Sequence, residues 1–248
     1  MRRKGQNFLV DGKVLQRIAD YARLGPSDRV LEIGPGTGNL TQVLSRTAGT
    51  VYAIEVDRSL AASLEGRFDN VEVIPGDALK VELPSYNKIV SNLPYQISSK
   101  ITYRILQRPF DLAVLMYQKE FAKRMVAPAG SDDYGRLSMI VGFYANAEIL
   151  ENVPRTAFRP VPQVSSSIVR LHPQPGATER VAFDHFMKLA TGLFSHRRKK
   201  LTSALEEIGV PKEDFSGLEK SLLDRRPQEL GPEEAGKLAK KINFLTKR

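Results

Sequence analysis

Four short stretches carry residue types that could handle a nucleoside and a reactive amine. The most informative is Asn92-Leu93-Pro94-Tyr95. An asparagine oxygen and a backbone carbonyl held stiff by proline can both accept hydrogen bonds from one exocyclic NH2, while a tyrosine stacks on the attached ring. An aromatic amine is a poor nucleophile because its lone pair is delocalised into the ring. Gripping both hydrogens favours the pyramidal, reactive geometry, and holding the nitrogen near an electrophile supplies proximity. The second stretch is Gly34-Pro35-Gly36-Thr37-Gly38, where glycine permits a tight turn and lets a ligand approach bare backbone. The third is Glu55, seventeen residues past Gly38, placed to accept from both hydroxyls of a ribose. The fourth is Gly76-Asp77-Ala78. Asp77 is either a turn former or a second nucleoside contact that accepts from an adenine amine.

These stretches need a scaffold that brings them to one rim, and the intervening pattern supplies it. Apolar runs at 29–33, 51–56, 71–75, 88–91 and 112–116 read as strands. Each of the first four ends at one of the chemical stretches. Helical patterns fall between them: Val14, Leu15, Ile18, Ala19 and Ala22 ahead of Gly25-Pro26, then residues 39–46, Leu60 with Ala61 and Leu64, and residues 98–106. Phe121, Ala122 and Met125 mark a further short helix. Two more strands, near 147–150 and 166–172, flank a Pro-rich loop at 154–162. This alternation predicts an α/β fold with a mostly parallel, doubly wound, Rossmann-like sheet, in which ligands sit beyond the C-terminal strand ends. Gln174-Pro175-Gly176 marks a boundary, so the expected domains are 1–175, with 1–12 as a basic arm, and a small helical domain at 176–248.

Composition narrows the chemistry. With 248 residues the chain can bury roughly 70–75% of its unfolded surface. It contains no cysteine, which excludes disulfides, thiolate catalysis and Cys-based zinc sites and fits a cytoplasmic protein. No apolar stretch approaches the roughly 18–20 residues that span a membrane. Arg2, Arg3 and Lys4 are not followed by an apolar core, so no signal peptide is expected. The net charge of +9 points to a polyanionic partner, most simply nucleic acid. Residues 177–248 hold 15 basic against 11 acidic side chains, a net +4. His172, His185 and His196 have neither metal-ligand spacing nor a paired nucleophile.

Taken together, the motifs resemble those of the S-adenosylmethionine-dependent rRNA adenine dimethyltransferases, the KsgA (RsmA) group with its archaeal and eukaryotic relatives. The resemblance runs from Gly5-Gln6-Asn7-Phe8-Leu9 through the glycine turn, Glu55-Val56-Asp57, Gly76-Asp77-Ala78 and Asn92-Leu93-Pro94-Tyr95. It continues in the Phe-x-Pro-x-Pro-x-Val-x-Ser run from Phe158 to Ser166 and in residues 194–201. Many bacterial members carry Asp where Ser165 stands, and Gln96-Ile97-Ser98-Ser99 is closer to archaeal or eukaryotic wording. The resemblance implies a cofactor site of Gln6, Asn7, Leu9, Gly34, Gly36, Glu55, Asp77, Ala78 and Asn92. It implies that Asn92, Pro94 and Tyr95 hold the target adenine and that Phe158 stacks on its other face. The reaction it implies is an in-line displacement at the sulfonium methyl, repeated once, with no general base because the alkylated amine is itself acidic. The expected substrate is two adjacent adenosines in the 3'-terminal hairpin of small-subunit rRNA, either as RNA or within an assembling small ribosomal subunit, and the expected state is a monomer.

RNA contact is expected at Arg197, Arg198, Lys199 and Lys200, with Arg2, Arg3 and Lys4 as a basic arm and Lys119, Lys123 and Arg124 as a third patch. Two other functions share this fold: a macrolide-resistance methyltransferase acting on large-subunit rRNA, and an assembly factor that does no chemistry. The intact Asn92-Leu93-Pro94-Tyr95 argues against the second. A dehydrogenase is disfavoured by Pro35 in the turn and by the lack of a hydride-transfer constellation.

Overall fold

The apolar strand runs do assemble into one sheet, and the order of its strands explains where a ligand can enter. The structure is a computed structural model that describes residues 7–177 and 181–244. The chain divides into two compact units, residues 1–122 with 148–173 and residues 123–147 with 174–248.

In the first unit β1 (Phe8–Leu9) leads into α1 (Gly12–Ala22). Asp11 caps this helix by accepting from the Lys13 and Val14 N–H groups, and Val14, Leu15, Ile18, Ala19 and Ala22 form its buried face. There follow β2 (Arg29–Ile33), α2 (Asn39–Leu44), β3 (Thr50–Glu55), α3 (Arg58–Leu64), β4 (Val71–Pro75), β5 (Lys88–Asn92), α4 (Ser98–Leu106), β6 (Leu112–Gln118) and α5 (Lys119–Met125). The closing strands are β7 (Ala145–Val153), β8 (Phe158–Arg159) and β9 (Ser166–Pro173), with the end of α5 past residue 122 and the start of β7 up to residue 147 counted in the second unit. The seven-stranded sheet has the order β4-β3-β2-β5-β6-β9-β7. Strands β2 to β6 pair in parallel, and β9 runs antiparallel to β6. From β2 the chain builds outward through β3 and β4, then returns to β5 on the opposite side. That reversal is the topological switch point at which open α/β sheets bind ligands.

Burial follows this plan. In β2, Val30 to Ile33 are all buried, as a central parallel strand covered on both faces requires. Beneath the sheet, the α1 face joins Leu9, Leu40, Leu44, Val90, Met116 and Phe158 in one apolar cluster. The two-residue strands β1 and β8 pair antiparallel, Phe8 with Arg159 and Leu9 with Phe158. They are too short for periodicity to reveal.

The second unit is helical: α6 (Arg136–Tyr144), α7 (Phe183–Ser195), α8 (Leu201–Glu207), α9 (Lys212–Phe215), α10 (Lys220–Leu223) and α11 (Pro232–Lys241). Its core is aromatic. Phe143 stacks on Phe186 with ring centroids 4.4 Å apart, Tyr144 leans on Phe183, and the Tyr134 hydroxyl donates to the Leu230 carbonyl. Helices α6 and α11 approach so closely that a Cβ at Gly236 would fall 2.0 Å from the Phe143 ring.

The break at 173/174 lies within two residues of the expected domain limit. The assignment of 123–147 to the first domain is corrected, because these residues pack in the helical unit. The cause is α6, which the sequence pattern did not predict. It buries Ser138 to Val141, Phe143 and Tyr144, so its apolar surface runs round the helix and leaves no one-sided stripe to read.

Candidate active site

The C-terminal ends of β2, β3, β4 and β5 converge on a cavity of about 460 Å³. It is lined by Asn7, Leu9, Gly34, Gly36, Glu55, Asp77, Ala78, Asn92, Pro94 and Tyr95, all expected from the sequence, and all within the first unit. Gln6, also expected there, lies outside the described residues, as do Arg2, Arg3 and Lys4.

Each wall has a local cause. After β2 the chain turns through Gly34, Gly36 and Gly38, with φ values of 71°, 58° and 83° that L side chains rarely adopt. At Gly36 a Cβ would also fall 2.8 Å from the Phe8 ring, so this glycine answers to both torsion and space. Glu55, at the end of β3, is buried. Its Oε2 accepts from Gly36 N at 3.0 Å and its Oε1 from Asp57 N at 2.9 Å. A carboxylate offers about four lone-pair sites, so two acceptor positions remain for hydroxyl donors. Asp77 serves as a turn former, accepting from Leu79 N through Oδ1 at 2.9 Å, and also lines the cavity.

At β5 the polar groups divide sharply. Ser91 is fully buried and accepts from Ile33 N at 2.7 Å. Next to it, Asn92 presents a buried Oδ1 that has no hydrogen-bond partner among the described residues. Buried polar atoms are rarely left so, and one that lines a cavity marks the place of a missing donor. Pro94 packs against the glycine turn, where a Cβ at Gly34 would fall 3.1 Å from its ring. The Pro94 carbonyl accepts from Ile97 N at 3.2 Å, while that of Leu93 precedes the fixed proline ring and is thereby held in direction. Tyr95 lies half-buried on the rim. Its hydroxyl hydrogen-bonds with Ser166 Oγ at 2.7 Å, and burial raises its pKa while that bond opposes the rise.

Several lining residues were not expected: Phe8, Thr37, Asn39, Gln96 and, most importantly, Glu32. An acid in the middle of an otherwise apolar strand was the signal for Glu32. It is buried, its Oε2 lacks a hydrogen-bond partner among the described residues, and its pKa is pushed up to about 8. Burial is the main cause, opposed by the nearby Thr41 hydroxyl and reinforced by the charge of Glu55. Between its ordinary value of 4.5 and about 8, the folded protein therefore holds a proton that the unfolded chain has lost. Stability must fall as pH rises through that window and level off above it. Glu32→Gln carries no such proton, so the variant should gain several degrees in Tm over the parent as pH rises from 5 to 8. Thermal melts of the ligand-free proteins check this, and a Tm difference independent of pH would count against it.

Phe158 requires a correction. It was expected to stack on a target base, yet it is fully buried in the apolar cluster, paired through β8 with Leu9, and does not line the cavity. In this conformation it acts as a core aromatic. Arg197 to Lys200 occupy the exposed turn between α7 and α8 of the second unit. Arg197 bonds Gln228, Lys199 pairs with Glu207, and Lys200 pairs with Asp224 at 2.7 Å. Of the third patch, Lys123 and Arg124 are exposed and Lys119 is half-buried. His185 bonds the Ala239 carbonyl and His196 pairs with Glu207.

A sequence profile for ribosomal RNA adenine dimethylase matches residues 1–234. The chain belongs to this family. Its relatives include the probable ribosomal RNA small subunit methyltransferase A of Methanosarcina mazei, 46% identical over 98% of this chain and 93% of that protein. The protein of the same name from Pyrococcus furiosus is 45% identical over 93% and 87%. Among solved structures, a dimethyladenosine transferase from Plasmodium falciparum superposes with a TM-score of 0.85 at 32% identity, covering 93% of this chain and 95% of that one. The 23S rRNA methyltransferase ErmE superposes with 0.67 at 30% identity, covering 95% and 99%. Family membership makes this chain an S-adenosylmethionine-dependent rRNA adenine dimethyltransferase, and the cavity fits that cofactor. The glycine turn leaves backbone open, Glu55 keeps acceptors for ribose hydroxyls, and Glu32 adds a buried carboxyl to the lining. No described helix is long and apolar enough to cross a membrane.

Proposed function

We propose that this protein dimethylates the exocyclic amine of two adjacent adenosines in the 3'-terminal hairpin of small-subunit rRNA during assembly of the subunit. The observation that carries the reading is the buried, unpartnered Oδ1 of Asn92, a residue that lines the cavity together with Leu93, Pro94 and Tyr95.

Asn7, Leu9, Gly34, Gly36, Glu55, Asp77 and Ala78 would hold S-adenosylmethionine, with Gln6 completing the set expected from the sequence. That cofactor supplies an electrophilic methyl group on a sulfonium. The target base must leave its stack to reach the cavity, as bases modified by enzymes generally do. Asn92 Oδ1 and the Leu93 carbonyl then accept from the two amine hydrogens. Two acceptors on one side bend the N–H bonds out of the ring plane and free the nitrogen lone pair, and Tyr95 holds the ring by stacking. The proton lost after transfer comes from an acidic alkylated amine, so none of these residues has to act as a base. For the second transfer the amine donates only one hydrogen bond.

RNA contact is assigned to Arg197, Arg198, Lys199 and Lys200. The ion pairs of Lys199 and Lys200 are solvent-exposed, and pairs of this kind are weak enough to be exchanged for phosphates. Exchanging all four for glutamine is expected to lower the slope of log affinity against log salt by roughly 3, with cofactor affinity unchanged. Filter binding across a salt series measures this, and an unchanged slope removes the run from the interface.

The names of the archaeal relatives favour the small-subunit target over the large-subunit one. Incubation of both ribosomal subunits with protein and labelled cofactor, followed by primer extension, tests the reading. Stops at two adjacent adenosines near the 3' end of small-subunit RNA are expected. Label confined to large-subunit RNA, or none, overturns it.

A further inference from the structure

The run from Phe158 to Ser166 is a marked feature of the sequence; its aromatic is buried, its first two residues pair with Leu9 and Phe8 of the lining, and its last residue bonds a lining side chain. Ser166 is fully buried at the start of β9, in register with Gln118 of β6, and its hydroxyl bonds the Tyr95 hydroxyl at 2.7 Å. The residues on either side are fastened independently. The Ser165 carbonyl accepts from Lys119 N at 2.9 Å, and Ser167 Oγ donates to Asn152 Oδ1 at 2.8 Å. The Tyr95 carbonyl accepts from Ser98 N, and among the described residues its side chain is hydrogen-bonded only to Ser166. Tyr95 begins the single 3-10 turn Tyr95–Ile97 at the cavity rim, so its ring is tethered at the backbone and at the tip.

We propose that Ser166 is a positioning residue that fixes the plane of the Tyr95 ring and is needed chiefly for the second methyl transfer. The proposal rests on the reading of the cavity as an adenine dimethyltransferase site. In the first transfer the amine offers two hydrogens, and the Asn92 oxygen and the Leu93 carbonyl define its position. In the second a methyl group replaces one hydrogen, one of those bonds is gone, and the base is aligned more by the surface on which it stacks. A ring free to swing about its side-chain torsions aligns that base poorly. The Ser166–Tyr95 bond removes this freedom by tying the rim to the sheet.

The test uses the full-length protein, the small-subunit substrate and single-turnover kinetics, with mono- and dimethyladenosine separated chromatographically after digestion. Tyr95→Phe and Ser166→Ala each delete the bond, and the double variant deletes nothing further. Each is expected to slow the second transfer about three- to ten-fold relative to the first, with accumulation of the monomethyl product, and the double variant is expected to match the singles. Equal slowing of both transfers, an unchanged product ratio, or additive losses in the double variant overturns the proposal. If Ser166→Ala fails to fold, the product ratio of Tyr95→Phe decides alone. Absence of any dimethyladenosine from the parent protein would instead refute the reading of the site.

Discussion

Asn92→Ala is expected to give a folded protein whose methyl transfer is slower by at least about 10²–10³-fold, with affinity for RNA little changed. The size follows from the role. One acceptor aimed at an amine that must rehybridise contributes only when the nitrogen begins to bond, so its loss falls on kcat. Stability should move the other way, or not at all. Leaving an acceptor buried and unpaired is unfavourable by about 1–3 kcal/mol, and Asn92 Oδ1 is such an acceptor in the ligand-free protein. Alanine removes that penalty, so the inactive variant should melt no lower than the parent. Labelled-cofactor assays and a thermal melt of the same preparation check both halves. Parental activity, or a collapse in Tm that accounts for the lost activity, would count against the assignment.

Glu55→Ala should weaken cofactor binding by roughly 100-fold, the loss expected when two hydrogen bonds to a charged acceptor disappear together. Its carboxylate also accepts from Gly36 N and Asp57 N, and so braces the glycine turn against the end of β3. The variant therefore loses acceptors for the ribose and leaves two backbone donors to find water. Glu55→Gln separates these effects, because it keeps the shape but replaces one acceptor by a donor that faces other donors. Calorimetric titration with S-adenosylhomocysteine should rank the parent tightest, the glutamine variant next and the alanine variant last. Affinity of the alanine variant within threefold of the parent would remove Glu55 from the ribose site.

The rim of this site was legible because each of its parts sits where one pattern stops. Four apolar runs end in Gly34, Glu55, Gly76-Asp77 and Asn92, and a parallel sheet carries all such endings to one side. What stayed hidden lacked a pattern to break. Helix α6 is apolar round its circumference, so periodicity gave no sign of it or of its place in the helical unit. Strands β1 and β8 are two residues each, below the length at which alternation can be counted. Phe158 shows a different limit. The family resemblance implied a stacking surface, whereas the pairing of β8 with β1 turns the ring into the core. Residue type alone does not say which side of a strand faces in.

The hydrogen bond from Ile33 N to Ser91 Oγ has a consequence for the enzyme's rigidity. Strands β2 and β3 stay zipped up to Ile33 and Ile54, and β5 and β6 up to Asn92 and Met116, but the register of β2 with β5 stops at Leu31 and Ile89. A serine hydroxyl bridges the seam above that point, so the crevice is a parting in the sheet, held ajar by one side chain and flanked by intact ladders. A groove made this way inherits the stiffness of the strands on either side, which carry the turns that line it.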